Sequence, residues 1–274
     1  MRWPDGRHVA VIFNIAYETW SKGKTSGVGP MGNPLAGGLF DTNADGYGRY
    51  GAQAGIQRLM RTLEGTGVRA SVFVSGALAE TDPQQVRAVA AAGHEIVGHG
   101  FAQDLIPASL TDAADLDSIR RSTEALQQVA GQRPLGWISP RASPGPRTLP
   151  HLIAQGYQWH ADALDADRPY LQRTAEGQIL AIPLAVEFND LAHAMRFGRT
   201  PQQFVDMFTE TLPHLLAAKD DVVILDVMVH THCYGRPACA WAFGEIARLC
   251  SDRQDIWVAT RGDIAAHVFK SINA

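Results

Sequence analysis

Acidic and basic side chains recur in this sequence at the points where apolar runs end. Glu18 comes shortly after the run VAVIFNIA, His99 follows EIVG, and His230 follows VVILDVMV. Side chains of these types can move protons or stabilise charge during a reaction. Other polar residues at similar points are Tyr17, Gln103, Asp104, Arg141, Asp162, Asp165, Asn189, Asp190 and His232. The combination favours an enzyme over a structural protein.

The segment HEIVGHGFAQD carries two histidines, His94 and His99, at the two ends of one apolar run. Residues five apart in a strand face opposite sides of the sheet, so these two are not expected to share a metal ion. His94 precedes the strand and is expected to pack or to cap the helix before it. His99 is the candidate for chemistry, as a proton carrier or as a single metal ligand.

Eight short apolar runs must position these residues, and helical patterns separate them. Asp82 with Pro83 is typical of a helix start, and Gly65 with Gly67 is typical of a helix end. This alternation predicts one α/β domain over residues 1–274, a barrel of about seven to eight parallel strands. A doubly wound open sheet is the alternative, but no strand is followed by a GxGxxG turn. The predicted strands are 8–16, 68–76, 94–99, 135–140, 157–162, 179–186, 222–230 and 255–260.

A segment rich in glycine and proline, residues 19–50, separates the first predicted strand from the first predicted helix. In a parallel barrel, functional residues collect at the carboxyl ends of the strands, beside such connections. We therefore expect residues 19–50 to cover the site and exclude water from it. Deleting the tip, Pro34 to Gly38, should reduce turnover far more than folding.

Composition excludes several other classes of protein. The formal net charge is −4, and the lysines and arginines are dispersed, so no nucleic-acid groove is predicted. No apolar stretch is long enough to span a membrane, and the first residues do not have the pattern of a signal peptide. The three cysteines do not suggest a disulfide framework. We predict a cytoplasmic protein with a small-molecule substrate and no nucleic-acid or membrane partner.

Three segments carry a resemblance to a known family. GHEIVGHGFAQD, SPRASPGP and VHTHCYGRP resemble the polysaccharide deacetylase superfamily, in the order of that family. GWISPRASPGP and WHADALDADRPY are most similar to its cytosolic branch of allantoinases and cyclic imide hydrolases. The resemblance implies a single distorted, incomplete (β/α) barrel and a homo-oligomeric enzyme.

The sequence departs from the family where the metal would bind. Typical deacetylases carry two aspartates after the first strand, a base and a metal ligand, followed by two histidine ligands in His-x-x-x-His. Here Asn14 and Ala16 stand at the aspartate positions, His99 matches the first histidine, and Gln103 replaces the second. We therefore expect no tightly bound metal or other cofactor. If zinc does bind, its candidate ligands are Glu18, His99 and His230.

The resemblance also implies roles for single residues. His230 corresponds to the acid that protonates the leaving group, and Arg141 to a residue that orients the base through an ion pair. Glu18 is the predicted base, because burial should raise its pKa toward neutrality, and His99 is the alternative base. Asp104 could bind substrate, orient His99 or cap a loop, and Asn189 with Asp190 could bind an amide or form a turn. The candidates for substrate contact are Tyr17, Gln103, Asp104, Trp137, Asn189, Asp190 and His232.

These observations favour hydrolysis of a non-peptide carbon–nitrogen bond in a small cyclic amide, imide or ureide. The first alternative is an N-deacetylase of an acetylated amino sugar or polysaccharide, for which an intact metal triad and an open groove would be expected. The second is a barrel that binds a ligand without catalysis. Retention of Glu18, His99, Arg141 and His230 together favours an enzyme.

Overall fold

The computed structural model describes residues 2–25, 29–30, 35–36 and 39–272, and its strands confirm the predicted barrel. Nine strands within these ranges form one sheet in the order β6-β7-β5-β4-β3-β2-β1-β8, with β9 also paired to β1. The strands are β1 Val9–Tyr17, β2 Ala70–Val74, β3 Glu95–Gly98, β4 Gly136–Trp137, β5 Trp159–His160, β6 Tyr170–Thr174, β7 Gly177–Ala181, β8 Val223–His230 and β9 Trp257–Ala259.

The barrel is distorted where its two edges meet. All paired strands run parallel except β6, which the sequence did not predict and which pairs antiparallel with β7. The predicted strand 179–186 ends at Ala181, and Pro183 in the following stretch has no N–H for a ladder. A single parallel bridge between Asn189 and Met228 then joins this irregular stretch to β8. The barrel therefore closes without a continuous ladder.

Helices surround the sheet, and the last of them packs against the interior apolar layer. They are α1 Thr42–Tyr50, α2 Ile56–Leu63, α3 Gly76–Thr81, α4 Pro83–Ala91, α5 Asp112–Ala130, α6 Thr148–Ala154, α7 Pro201–Ala217, α8 Ala240–Ser251 and α9 Arg261–Ile272. Part of the expected loop 19–50 is helical, because α1 lies within it. A π-helical turn, Gly51–Gly55, joins α1 to α2. In the described ranges, every helix is too short or too polar to cross a bilayer.

Strand β1 is buried along its whole length and separates two apolar layers. Its odd-numbered residues, such as Phe13 and Tyr17, pack in the outer layer against the helices. Its even-numbered residues, such as Ile12 and Ala16, pack inside the barrel with Trp159 of β5. This alternation follows from the two-residue period of a strand. It determines which side chains at the strand ends face the interior.

A buried ion pair lies inside the barrel. Arg261 and Asp226 are fully buried, and the Arg261 Nη2–Asp226 Oδ1 distance is 2.6 Å. Arg261 Nε also donates to Asn14 Oδ1 at 3.1 Å, and Nη1 donates to the carbonyl oxygen of Ile182 at 2.9 Å. Asn14, which stands where the family has an aspartate, therefore has a structural partner. The arginine connects β1, β8 and the stretch after β7.

Replacing Arg261 with methionine is expected to lower the free energy of unfolding by about 3–5 kcal/mol, because Asp226 would remain buried without its partner. Urea unfolding measures the change. The matched control is Arg253→Met, which breaks an exposed pair with Asp255 and should cost less than about 1 kcal/mol. Equal effects of the two substitutions would contradict a stabilising role for the interior pair.

Candidate active site

One carboxylate and three imidazoles meet at the carboxyl end of the barrel. Glu18 Oε1 lies 3.0 Å from His99 Nε2, and Glu18 Oε2 lies 3.6 Å from His232 Nδ1. The rings of His230 and His232 contact each other edge to face, with centroids 5.6 Å apart. The structure therefore brings together Glu18, His99, His230 and His232, which come from three separate strand ends.

The alternation of the strands explains this convergence. Ala16 pairs with His230 across β1 and β8, and Glu18 is the next residue of β1's interior-facing series. His99 follows Val97 by two positions, and Val97 is an interior residue. His94 instead accepts a hydrogen bond from the Ala70 N–H at 2.9 Å, so it packs between strands. The expectation that His94 and His99 have separate roles is consistent with this placement.

Both ring nitrogens of His99 have partners. Its Nδ1 lies 3.0 Å from the carbonyl oxygen of Ile138, which can only accept, so Nδ1 carries a proton. Its Nε2 lies 3.0 Å from Glu18 Oε1, and these two atoms form a hydrogen bond with one proton between them. His99 therefore orients Glu18. To act as a base in place of Glu18, as the sequence allowed, it would first have to break this bond.

A buried aspartate holds His230. Asp190 is fully buried, and its Oδ1 accepts from His230 Nδ1 at 2.6 Å. Its Oδ2 accepts from the backbone N–H groups of His230 at 2.8 Å and Tyr234 at 3.0 Å. Burial opposes a charge on His230, but the carboxylates of Asp190 and Glu18 raise its pKa. Asp190 orients the imidazole, and the expectation that it contacts substrate is wrong.

The charge state of Glu18 also corrects an expectation. Burial by itself raises the pKa of Glu18, as predicted, but the surrounding imidazoles outweigh it. The charge of His230 makes the largest opposing contribution, followed by the hydrogen bond from His99, and the pKa is lowered to about 2. His232 differs, because burial lowers its pKa to about 4. At neutral pH the site therefore holds an ionised Glu18 beside a neutral His232.

The segment after β1 covers this cluster. Trp20 and Tyr47 contact the His232 ring edge to face, with centroid distances of 5.3 and 5.7 Å. A side chain at Gly55 would lie 1.9 Å from the carbonyl oxygen of Thr231, so only glycine lets this turn approach the His232 segment. Glu18 also borders a cavity of about 630 Å³. In the proposed deletion, Pro34, Gly37 and Gly38 lie outside the described residues.

Arg141 does not pair with the base. It is exposed in a short turn with φ of 59°, and no ion pair to it is present among the described residues. Glu18 is instead held by His99 and His232. The turn containing Arg141 follows Ile138 directly, so Arg141 lies on the same rim of the barrel. The expected ion pair between Arg141 and Glu18 is absent from the part of the chain that the structure describes.

Two aromatic candidates face the wrong side of the sheet. Tyr17 packs in the outer layer, and its hydroxyl donates to Asp82 Oδ2 at 2.5 Å. Trp137 is fully buried among outer-face residues such as Tyr157, and its Nε1 donates to Ser139 Oγ at 3.2 Å. Neither residue reaches the cluster. The expectation that Tyr17 and Trp137 contact substrate is wrong.

Three other candidates support loops. The side-chain amide of Gln103 donates to Ser75 Oγ at 2.9 Å and to the carbonyl oxygen of His99 at 2.8 Å, so both its hydrogens are used. Asp104 Oδ1 accepts from the Ser21 N–H at 2.7 Å, which is the loop-capping role left open above. Asn189 Oδ1 accepts from the Leu191 N–H at 3.0 Å, and Asn189 thus forms a turn. The substrate contacts expected of these side chains are not supported.

Sequence reasoning placed Asp162 among the strand-end residues but gave it no role; it lies two residues after the end of β5. Its Oδ1 accepts from the Ser139 N–H at 2.7 Å and its Oδ2 from Ser139 Oγ at 2.6 Å. Burial raises the pKa of this carboxyl to about 6, against the opposing effects of Ser139 and His99. The signal that could have identified it was its place at a strand end, beside the SPR turn.

The family's metal site does not fit these residues. Ala16 offers no donor, and the Gln103 amide is committed to protein acceptors. A catalytic zinc normally has three protein ligands. Over the described ranges, no three His, Cys, Asp or Glu side chains are arranged to hold a metal ion. Only His99 remains of the three ligands that the resemblance implies.

Comparison with known proteins agrees with the fold and the motifs. The sequence profile of the Polysaccharide deacetylase family matches residues 39–160. A peptidoglycan deacetylase from Helicobacter pylori is 25% identical over 130 residues, which are 47% of this chain and 44% of that protein, so the match spans less than half of the relative.

Two solved structures extend over nearly the whole chain. A protein from Pseudomonas aeruginosa PAO1, described as a probable polysaccharide deacetylase, is 26% identical with a TM-score of 0.85, covering 98% of this chain and 93% of that one. PuuE allantoinase shares the fold at 24% identity and a TM-score of 0.82, with the same coverage. Together with the distorted barrel and the motifs at its strand ends, these similarities support a place for the chain in the polysaccharide deacetylase superfamily.

Proposed function

We propose that the protein hydrolyses a carbon–nitrogen bond in a small cyclic amide, imide or ureide. The observation that carries this proposal is the enclosure of the cluster. Glu18 is 8% exposed, His99 3% and His230 4%, and Trp20 and Tyr47 pack against the neighbouring His232 ring. A polysaccharide chain needs an open groove, whereas a small ring can be held by contacts on most sides. Likeness to the allantoinase fold is consistent with this substrate class.

The proposed reaction begins at Glu18. Its Oε2, which does not bond to His99, accepts a proton from water, and the water oxygen attacks the carbonyl carbon of the substrate. The carbon–nitrogen bond then breaks, and the leaving nitrogen takes a proton from Nε2 of His230. Asp190 retains the proton on Nδ1 of His230 throughout. A proton then passes from Glu18 back to His230, directly or through water, which restores the starting state.

The two proton transfers are coupled by charge. Against the effect of burial, the charge of His230 is the largest influence that lowers the pKa of Glu18. When His230 gives its proton to the leaving nitrogen, its positive charge is lost. The pKa of Glu18 then rises, and Glu18 becomes a stronger base. The site can therefore keep Glu18 ionised before the reaction and still let it hold a proton during it. Acid–base groups of this kind contribute about 10²–10⁴ each to a rate.

A substrate panel tests the proposal. Allantoin, hydantoins, succinimide and dihydropyrimidines are assayed beside N-acetylglucosamine oligomers and peptidoglycan fragments. Turnover of a cyclic amide, imide or ureide with little release of acetate is expected. The similarity to a peptidoglycan deacetylase favours the alternative, N-deacetylation of an amino sugar. Acetate release from the oligomers, without ring opening, would show that this alternative is correct.

We further propose that activity does not require a tightly held metal, because the residues at the family's ligand positions cannot supply three ligands. Enzyme dialysed against a chelator should retain its turnover, and elemental analysis should find far less than one zinc per chain. A zinc-dependent deacetylase treated in parallel is the control, and it should lose activity. Stoichiometric zinc whose removal abolishes turnover would contradict the proposal.

A further inference from the structure

Two hydrogen bonds meet on one peptide group beside the cluster. The peptide unit between Ile138 and Ser139 presents its N–H to Asp162 Oδ1 at 2.7 Å. Its carbonyl oxygen accepts from Nδ1 of His99 at 3.0 Å. The carboxylate, the peptide and the imidazole thus form one continuous chain of hydrogen bonds. The chain continues from Nε2 of His99 to Glu18 Oε1 at 3.0 Å.

A chain of this kind transmits charge. A carboxylate that accepts from an amide N–H draws the amide dipole into alignment and makes its carbonyl oxygen a stronger acceptor. A stronger acceptor at Ile138 holds the proton on His99 Nδ1 more firmly and stabilises positive charge on that ring. Because burial raises the pKa of Asp162 only to about 6, the carboxyl is ionised at neutral pH.

The surroundings of Asp162 favour this role over simple loop support. Its second oxygen accepts from Ser139 Oγ at 2.6 Å, so both carboxylate oxygens are held by Ser139. Ser139 Oγ accepts in turn from Trp137 Nε1, and Ser139 is fully buried. Loop support alone does not require a charged group here, since an uncharged amide oxygen could also accept from the Ser139 N–H.

We propose that Asp162 is a positioning residue that acts on His99 through the Ile138–Ser139 peptide group, and through His99 on Glu18. The inference rests on the proposed function, in which Glu18 accepts the proton of water. Asp162 touches neither substrate nor reacting atoms. Its negative charge strengthens the hydrogen bond from His99 Nδ1 to the Ile138 carbonyl oxygen and so keeps the imidazole correctly oriented toward Glu18.

The test substitutes Asp162 with asparagine. The asparagine oxygen can accept from the Ser139 N–H, and its amide can donate to Ser139 Oγ, so the shape and the peptide contact are retained, the hydroxyl contact is reversed, and the charge is lost. We expect kcat to fall about tenfold with KM nearly unchanged, because only the charge relayed through the peptide is removed. Histidine-labelled NMR should show the His99 Nδ1–H resonance moving upfield, with the His230 resonances unchanged.

Ser139→Ala is the matched control. It removes the hydroxyl contact but leaves the backbone N–H that relays the charge, so the His99 resonance and kcat should stay near their wild-type values. Asp162→Ala supplies a second variant, in which the upfield shift should be at least as large. The NMR signal does not depend on the substrate, so a failed substrate panel and a failed relay are distinguishable.

A purely structural Asp162 gives a different result. Asp162→Asn would then keep the wild-type His99 resonance and kcat, while Asp162→Ala would lower the melting temperature. That pattern, or an unchanged His99 resonance in any folded Asp162 variant, would overturn the proposal.

Discussion

Glu18→Gln is expected to lower kcat by about 10²–10⁴ while leaving the fold intact, because it removes the group that accepts the proton of water. Glutamine has nearly the same shape, and its carbonyl oxygen can still accept from His99 Nε2, which lies 3.0 Å from the carboxylate. The loss should appear in kcat more than in KM. Steady-state kinetics on a substrate found in the panel measures it, with circular dichroism as the check on folding.

Glu210→Gln is the matched control for this substitution. Glu210 is exposed in α7, and no hydrogen bond or ion pair to its side chain is present in the described ranges, so kcat should not change. If folded Glu18→Gln retained more than about a third of wild-type kcat, a loss far smaller than removal of a proton-transfer group produces, Glu18 would not be the base. Loss of activity in His99→Ala would not distinguish the mechanisms, because His99 also orients Glu18.

Asp190→Asn is expected to reduce kcat/KM by about 10²–10⁴ and to move the alkaline limb of the pH profile to lower pH. Asparagine can turn its amide toward His230 Nδ1, which then has to accept instead of donate. The positive form of His230 loses the carboxylate that lies 2.6 Å away. Its ability to protonate the leaving nitrogen falls for both reasons.

The direction of the pH shift follows from the charges. His230 acts as an acid only when protonated, so activity is lost as pH rises through its pKa. Burial opposes the charge, but Asp190 and Glu18 raise that pKa in the wild type. Without the Asp190 charge the pKa falls, and the limb moves toward acid pH.

The expected shift is measured from kcat/KM between about pH 5 and 9, the range in which histidine groups titrate. Asp167→Asn, an exposed aspartate in the segment after β5, is the control and should leave the limb in place. An alkaline limb at the wild-type pH in Asp190→Asn would exclude His230 as the acid that this limb reports.

The sequence was sufficient to predict that three of the four catalytic candidates lie near one another, whereas Arg141 does not join them. Parallel strands present their carboxyl ends at one rim, so Glu18, His99 and His230, each at the end of a separate apolar run, were expected to lie near one another. The same reasoning predicted the barrel, the start of α4 at Pro83 and the long segment over the site. These features depend on local patterns and on the period of strands and helices, which can be read along the chain.

Which residues face the interior was decided only in three dimensions. Strand β1 is apolar on both faces, so its sequence could not show that Tyr17 points outward while Glu18 points inward. The sequence likewise could not show that Trp137 faces the outer side of the sheet. The irregular stretch after β7 was also unpredictable, because it pairs with β8 through one isolated bridge between residues far apart in sequence.

The sequence by itself indicated the family resemblance, the barrel and the residue types available for proton transfer. Only the tertiary structure decided how those groups are charged and which of them support others. Burial alone would raise the pKa of Glu18, but imidazoles from two other strand ends lower it to about 2. The role of Asp190 likewise depends on its contact with His230, and that of Asp162 on its contact with the Ile138–Ser139 peptide. Such effects depend on distances between residues far apart in the chain, and a linear pattern does not contain those distances.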